Sequence, residues 1–296
     1  MLQTLSGEKL ARPSRAKWLR RTQLRSLAVS LRLIALAAGA LVIMAPIIWM
    51  LAASLEPMSE VTTFPPTLLP HPVQLSNYIR GFTFMPFARF FLNTLFIGFM
   101  SALGTLLAAS LAGYAFARLS APDKNVLFIL VLSTLMLPYT VTVIPQYILF
   151  RQLHWINTFF PLWVPEWFGG GPFFIFLFRQ FFMSISADVF EAARIDGCGY
   201  FGLYRQILLP LSVPVLATAA IFRFQFAWND FLGPLIYINS TSKYTVSLGL
   251  SLFTAKYGAT PWNQLLAVTI LAIIPPVVLF FIGQRYLITG IVVVQK

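Results

Sequence analysis

Long stretches of this chain run without a charged residue for longer than a bilayer requires, among them Leu33–Leu55 (23 residues), Phe90–Ala117 (28 residues) and Asn125–Phe150 (26 residues). A helix rises about 1.5 Å per residue, so about 20 apolar residues cross the hydrocarbon core. Barrel strands would instead appear as segments of about ten residues with alternating polarity. Composition agrees with spanning helices: 58% of residues are hydrophobic, 10% are charged and the mean hydropathy is +0.78, whereas a soluble domain carries roughly a quarter charged residues. The chain reads as an all-α integral membrane protein.

Three interrupted segments bring the expected count to six transmembrane helices. Residues 158–182 contain Glu166 and Gly169, Gly170 and Gly171; residues 211–231 carry Arg223 and end at Asp230; residues 264–284 hold Pro275 and Pro276. With the first three spans at about 33–55, 90–116 and 125–149, the expected organisation is a basic segment 1–32 and a six-span domain 33–290, with a polar loop at 186–209. The first run exceeds the roughly 7–15 residues of a signal-peptide core and lacks an A-x-A-like exit, so it is expected to stay as span one.

An even number of spans puts both termini on one side, and Lys/Arg bias identifies that side as the cytoplasm. Eight basic residues lie in the N-terminal segment (Lys9, Arg12, Arg15, Lys17, Arg20, Arg21, Arg25, Arg32), and Arg118, Lys124, Arg179, Arg194, Arg205, Arg285 and Lys296 fall on the same side. The opposite loops hold five: Arg80, Arg89, Arg151, Lys243 and Lys256. The net charge of +12 is therefore concentrated just before a span, which fits anionic lipid better than nucleic acid.

Several chemistries are excluded. Cys198 is the single cysteine, and His71 and His154 stand in separate loops with no carboxylate at ligand spacing, so neither an intramolecular disulfide nor a metal site is expected. No G-x-x-x-x-G-K-[ST] is present, so the chain has no P-loop of its own. Two loops on the outer side stand out: residues 56–82, with five prolines, and residues 232–262, which suit a re-entrant or interfacial helix. In span two Gly104, Ala108 and Ala112 recur at four-residue intervals, a stripe that admits close helix packing, inside the bundle or against another subunit.

The polar stretch EAARIDGCGYFGLYRQILLP (191–210) is unusual between two apolar regions. Asp188 and Glu191 have capping-box spacing, Glu191 and Arg194 are placed to pair, and Gly197 is placed to end the helix in the left-handed conformation. A second short helix is expected at about Tyr200–Leu208, with Pro210 in the first turn of the next span and Leu209 disfavoured as helix. The element suits either a cap on the bundle or a docking site for a soluble motor.

Within the spans, Arg223 is 13 residues past Pro210, about 20 Å along a helix and so in the outer half. A charge that deep faces a partner or a water-filled cavity. Arg223, Trp228, Asn229 and Asp230 are candidate residues of such a cavity or path, with an aromatic face and hydrogen-bonding groups. The alternative is that Arg223 and Asp230 pair with each other or with a neighbouring subunit. Gly169–Gly171 with Pro165 are expected to break span four and leave Glu166 in a solvated turn, and Pro275 and Pro276 to kink span six and free carbonyls that need other partners.

The stretch EAARIDGCGYFGLYRQILLPLSVP (191–214) resembles the EAA loop of permease subunits of ATP-binding cassette importers: Glu191, Ala192, Ala193, Gly197, Ile207, Leu209 and Pro210 match, with Asp196 before the glycine and Cys198 where alanine is usual. FPPTLLPHPVQLSNY (64–78), FLFRQFFMSI (176–185), WNDFLGPLIYI (228–238) and FFIGQRYLITG (280–290) are similar, in order and spacing, to the six-span, MalG-like subunit of carbohydrate importers. The resemblance implies a type I importer permease fold with a cytoplasmic EAA coupling helix, in a bacterial or archaeal cell membrane.

It also implies the partners: a second permease in a heterodimer, two ATPase subunits that hold ATP and Mg, an extracytoplasmic sugar-binding protein and a sugar substrate. The chain itself would bind no cofactor and would not be an enzyme. Coupling to the ATPase would rest on Glu191, Ala192, Ala193, Asp196, Gly197, Ile207 and Pro210. An ion-coupled secondary transporter and a membrane-embedded enzyme are the rival classes, but the sequence has neither a visible repeated half with broken helices nor a nucleophile, base or metal constellation.

Overall fold

The computed structural model describes residues 15–65, 69–255 and 260–294. Lys9, Arg12, Lys256 and Lys296 lie outside the described residues. Helix α1 (Arg15–Ser54) leads through α2 (Met58–Val61) and α3 (Ser76–Phe84) to α4 (Phe87–Arg118). The charge-free run after it is not one straight span: α5 (Lys124–Ser133), a 3-10 turn at Thr134–Met136 and α6 (Tyr139–Gln152) meet at 99°. Pro138 is responsible, because the residue before a proline is driven out of the helical region, and Leu137 is extended with ψ 114°.

The next segment is broken by its glycines. After α7 (Phe160–Trp163) and α8 (Pro165–Gly169), Gly170 and Gly171 take φ of +67° and +86° before α9 (Pro172–Ser184). A 76° bend then leads into α10 (Ala187–Ile195). Short α11 (Tyr200–Gly202), a π-helical turn at Leu203–Leu208 and α12 (Leu209–Leu211) follow, and a 78° bend precedes α13 (Val213–Asn229). After α14 (Leu232–Tyr237) and a 3-10 turn at Thr241–Lys243, α15 (Val246–Ala255) and α16 (Trp262–Val294) complete the described chain.

Three described helices are each long and apolar enough to span a membrane, and six spans result when each bent pair counts as one. The 232–262 segment holds α14 and α15, and α15 buries Val246, Leu248 and Phe253. Its Gly249 lets the Phe90 ring approach so closely that a Cβ there would lie 2.4 Å from it.

Helix α4 is the centre of the bundle, packed by α8, α9, α13 and α15. Missing side chains let its neighbours approach: a Cβ would lie 2.8 Å from Phe224 at Gly98, 2.3 Å from Trp167 at Gly104 and 2.6 Å from Phe178 at Gly113. Close packing thus occurs on three sides of α4, and Gly104 of the small-residue stripe serves packing within the chain. Such contacts matter where lipid supplies no hydrophobic force between helices. Ala108 and Ala112 are only half-buried.

Helix α16 continues through Pro275 and Pro276 without a break. Pro276 has no N–H to offer the carbonyl four residues back. That carbonyl, of Ala272, accepts the Trp228 indole N–H instead at 3.1 Å.

A buried polar knot fixes which ends of the helices lie together. The Asn77 amide donates to the carbonyls of Ser54 (3.0 Å) and Glu56 (2.8 Å), and Asn263 donates to the Glu56 carbonyl (3.3 Å) and Asn77 Oδ1 (3.2 Å). The end of α1, the start of α3 and the start of α16 are therefore one corner, and α1 and α16 run antiparallel. A buried amide stripped of such partners costs about 1–3 kcal/mol. Asn77→Ala is expected to lower the thermal midpoint of the detergent-solubilised protein by that free energy, and Asn263→Ala on top of it to add less than it costs alone.

Candidate functional site

Two regions carry the chemistry, one inside the bundle and one at its end. The first is an open-sided cavity of about 910 Å³ lined by α6, α7, α8, α13 and α14, with Tyr139, Gln146, Phe150, Trp155 and Tyr237 beside Glu166, Arg223, Asn229 and Asp230. Arg223, Asn229 and Asp230 also line an adjoining hollow of about 540 Å³.

Arg223 pairs with Glu166 (Nη2 to Oε1, 2.9 Å), and both side chains are 18% exposed. Thr105 of α4 donates to the other carboxylate oxygen at 3.2 Å. Glu166 is therefore not in a solvated turn: α8 turns it inward, and the Gly170 N–H closes that helix on the Glu166 carbonyl at 2.9 Å. Arg223 does not pair with Asp230, whose carboxylate accepts the Gly233 N–H (3.0 Å) at the start of α14.

The pair also lies deeper than the sequence distance suggests. The chain bends at Ser212, so only the ten residues from Val213 count along the span, about 15 Å. Glu166 was visible as the one acid in a long apolar segment, and Arg223 as the one base in another; pairing the two is what the cost of an isolated intramembrane charge demands.

Of the other candidate path residues, Asn229 faces the cavity and donates to the Gln225 carbonyl at 2.9 Å. Trp228 does not line it. Its buried ring stacks on Phe224 at 5.5 Å and meets Phe91 edge-on at 5.9 Å, with the indole N–H bound to Ala272. Trp228 is a packing residue between α4, α13 and α16.

The second region is the bent loop from Ala187 to Leu211. Ser186, not Asp188, is the N-cap of α10: its Oγ accepts the Asp188 N–H (3.3 Å) and donates to Asp188 Oδ2 (3.0 Å). Asp188 is already helical. Glu191 is exposed, and Arg194 lies over the Tyr200 ring at 5.6 Å rather than on Glu191.

The helix ends as the glycine demands. Gly197 has φ +84°, its N–H donates to the Arg194 carbonyl (3.1 Å), and the Cys198 N–H donates to the Ala193 carbonyl (2.9 Å). This is the paired 5→2 and 6→1 closure of a Schellman turn.

The second arm differs from expectation. Leu209 is helical (φ −60°, ψ −47°), and Pro210 sits inside α12. The wide π-helical turn before it relaxes the contact between a proline ring and the carbonyl four residues back. The break moves to Ser212, whose Oγ holds the Leu208 carbonyl at 2.5 Å.

Folding brings the halves of the EAA motif together: Ala193, Asp196 and Gly197 from the first arm and Gln206 and Ile207 from the second line a hollow of about 460 Å³. Glu191, Ala192, Asp196, Gly197 and Pro210 are exposed. So are the apolar side chains of Ile195 (87%) and Phe201 (68%). The loop lies at the end of the bundle opposite the Asn77 knot, because it contacts the C-terminal end of α4 while α3 and α15 pack at the start of α4.

A helical bundle with a charged cavity inside and a rigid, exposed helix pair at one end defines a multi-pass membrane permease. The chain belongs to the family of binding-protein-dependent transport system inner membrane components, whose model matches residues 104–293. The arabinooligosaccharides transport system permease protein AraQ of Halalkalibacterium halodurans is 34% identical over 84% of this chain and 89% of its own. The sn-glycerol-3-phosphate transport system permease protein UgpE of Yersinia pestis is 34% identical over 87% and 94%. A chain in the crystal structure of a bacterial ABC transporter involved in the import of the acidic polysaccharide alginate has the same fold, with a TM-score of 0.76, 22% identity and 93% and 99% of the chains covered. ATP hydrolysis in such systems belongs to a separate partner, and this subunit is not an enzyme.

Breaking a buried ion pair by removing one partner costs more than removing both, commonly about 3–5 kcal/mol for a single loss. Glu166→Gln is expected to destabilise the solubilised protein by about 3 kcal/mol, and Glu166→Gln with Arg223→Met to recover most of that loss in the same thermal melt.

Proposed function

We propose that this permease forms half of the translocation path of an ATP-driven, binding-protein-dependent saccharide importer and couples to the ATPase through Ala187–Leu211. The observation that carries the reading is the exposed helix pair closed by Gly197, at the same end of the bundle as both ends of the described chain. Lys/Arg bias makes that end cytoplasmic, within reach of a soluble ATPase that holds ATP and Mg.

Glu191 and the exposed Ile195 and Phe201 dock in the ATPase, while Ala192, Ala193, Asp196, Gly197, Ile207 and Pro210 hold the shape of the docking element. Closure of the ATPase dimer moves the element as a rigid body, and the cavity alternates between its two openings.

A saccharide is the substrate class that best fits the cavity. Trp155, Tyr139 and Phe150 offer aromatic faces, and Gln146, Asn229 and Asp230 offer hydrogen-bonding groups. The relative named for arabinooligosaccharide transport supports this reading. A second permease closes the open side, where α6 exposes Val141 (63%) and Ile144 (67%). An extracytoplasmic sugar-binding protein delivers the solute.

Mass spectrometry of what co-purifies with the chain from gently solubilised native membranes tests the assignment. A second permease and a P-loop ATPase are expected; solute uptake by the chain alone under an ion gradient would overturn it. Gly197→Pro removes both the left-handed turn and its N–H, so it is expected to insert normally yet abolish ATP-driven uptake. Wild-type uptake by that variant refutes the coupling role.

A further inference from the structure

The coupling loop is gripped by one face of α4. Ser110, Tyr114 and Arg118 follow one another at four-residue spacing, so they share that face. Arg118 bonds the end of α9 that leads into the loop and meets a ring of its first arm, while Tyr114 and Ser110 bond the second arm. Arg118 Nη2 donates to the Phe182 carbonyl at 2.7 Å and to the Ile185 carbonyl. Its guanidinium carbon lies 4.1 Å from the ring centroid of Phe190, the buried residue of α10. Tyr114 donates to the Tyr200 carbonyl at 3.0 Å, and the Ser110 and Tyr204 hydroxyls share a hydrogen bond of 2.7 Å.

The chemistry of Arg118 is specific. Phe182 lies in the last turn of α9, whose carbonyls have no partner within the helix, and Ile185 follows its end. A guanidinium supplies donors in a fixed fork, so it can cap both carbonyls and still present its plane to Phe190. The first arm is thereby fixed to α4 through the end of α9 and the Phe190 ring, and the second arm by two tyrosines. The loop cannot shift along the membrane without either pulling α4 or breaking these bonds.

Helix α4 continues unbroken from Arg118 to Thr105, 13 residues or about 20 Å away. There Thr105 bonds Glu166, the partner of Arg223 in the cavity.

We propose that Arg118 is a positioning residue for transport: it holds α10 against α4 so that motion of the coupling loop reaches the charged cavity. The inference rests on the permease reading above.

The test uses the complete importer, with its second permease, ATPase and binding protein, in proteoliposomes, and reads solute moved per ATP hydrolysed. Arg118→Met keeps the apolar stem and removes the donors. It is expected to lower that ratio about tenfold, within the usual range of coupling between sites, while the complex still assembles. Arg118→Lys, which keeps a cation and N–H donors but not the planar fork, is expected to restore part of the ratio. Phe190→Leu, which keeps the burial and removes the ring, is expected to lower it in the same direction.

An unchanged ratio in both Arg118→Met and Phe190→Leu overturns the proposal, as does a proportional fall of uptake and hydrolysis, which marks a purely structural role. If Arg118→Met does not assemble, Phe190→Leu decides alone. Absence of ATP-driven uptake in the wild-type complex would instead overturn the permease reading.

Discussion

Every helix that is interrupted inside a membrane frees backbone groups that lipid cannot satisfy, and the architecture of this protein follows from how those groups are met. Pro276 frees the carbonyl of Ala272, and the Trp228 indole takes it. The break at Ser212 is closed by that residue's own hydroxyl on Leu208. The end of α9 is closed by Arg118. Trp228 and Arg118 each join two helices as they do so, which ties those points of the chain to their neighbours.

Helix α4 is what makes the bends compatible with a tight bundle. Its glycines receive Phe224, Trp167 and Phe178 from three different helices, and its polar side chains reach both arms of the Ala187–Leu211 loop at one end and the Glu166–Arg223 pair near its middle. A single unbroken helix therefore touches both functional regions. The helices around it are the ones that bend, which is the arrangement expected if rigid-body movement of the loop is to alter a cavity at mid-depth.

The cavity shows how charge is kept inside a bilayer. Glu166 and Arg223 offset each other, Thr105 occupies the second carboxylate oxygen, and Asp230 is held by a backbone N–H. An isolated charge at that depth would be costly, and a pair with supplementary hydrogen bonds is tolerated.

The sequence by itself determined the membrane class, the six apolar segments, the helix, glycine turn and helix of the Ala187–Leu211 loop, and the need for partners at Arg223 and at the carbonyls freed by Pro275 and Pro276. These are properties of contiguous residues: apolar length, charge density, and a conformation that only glycine adopts cheaply. Tertiary structure alone decided that Arg223 meets Glu166 rather than Asp230, that Trp228 serves a carbonyl of α16 rather than the cavity, that the third apolar run turns through 99°, and that Pro210 lies inside a helix whose break falls at Ser212. Each of these depends on which group stands opposite in space. An apolar run states only that a segment belongs in lipid, whereas a bend or an ion pair is set by the neighbour that supplies the missing hydrogen bond or charge.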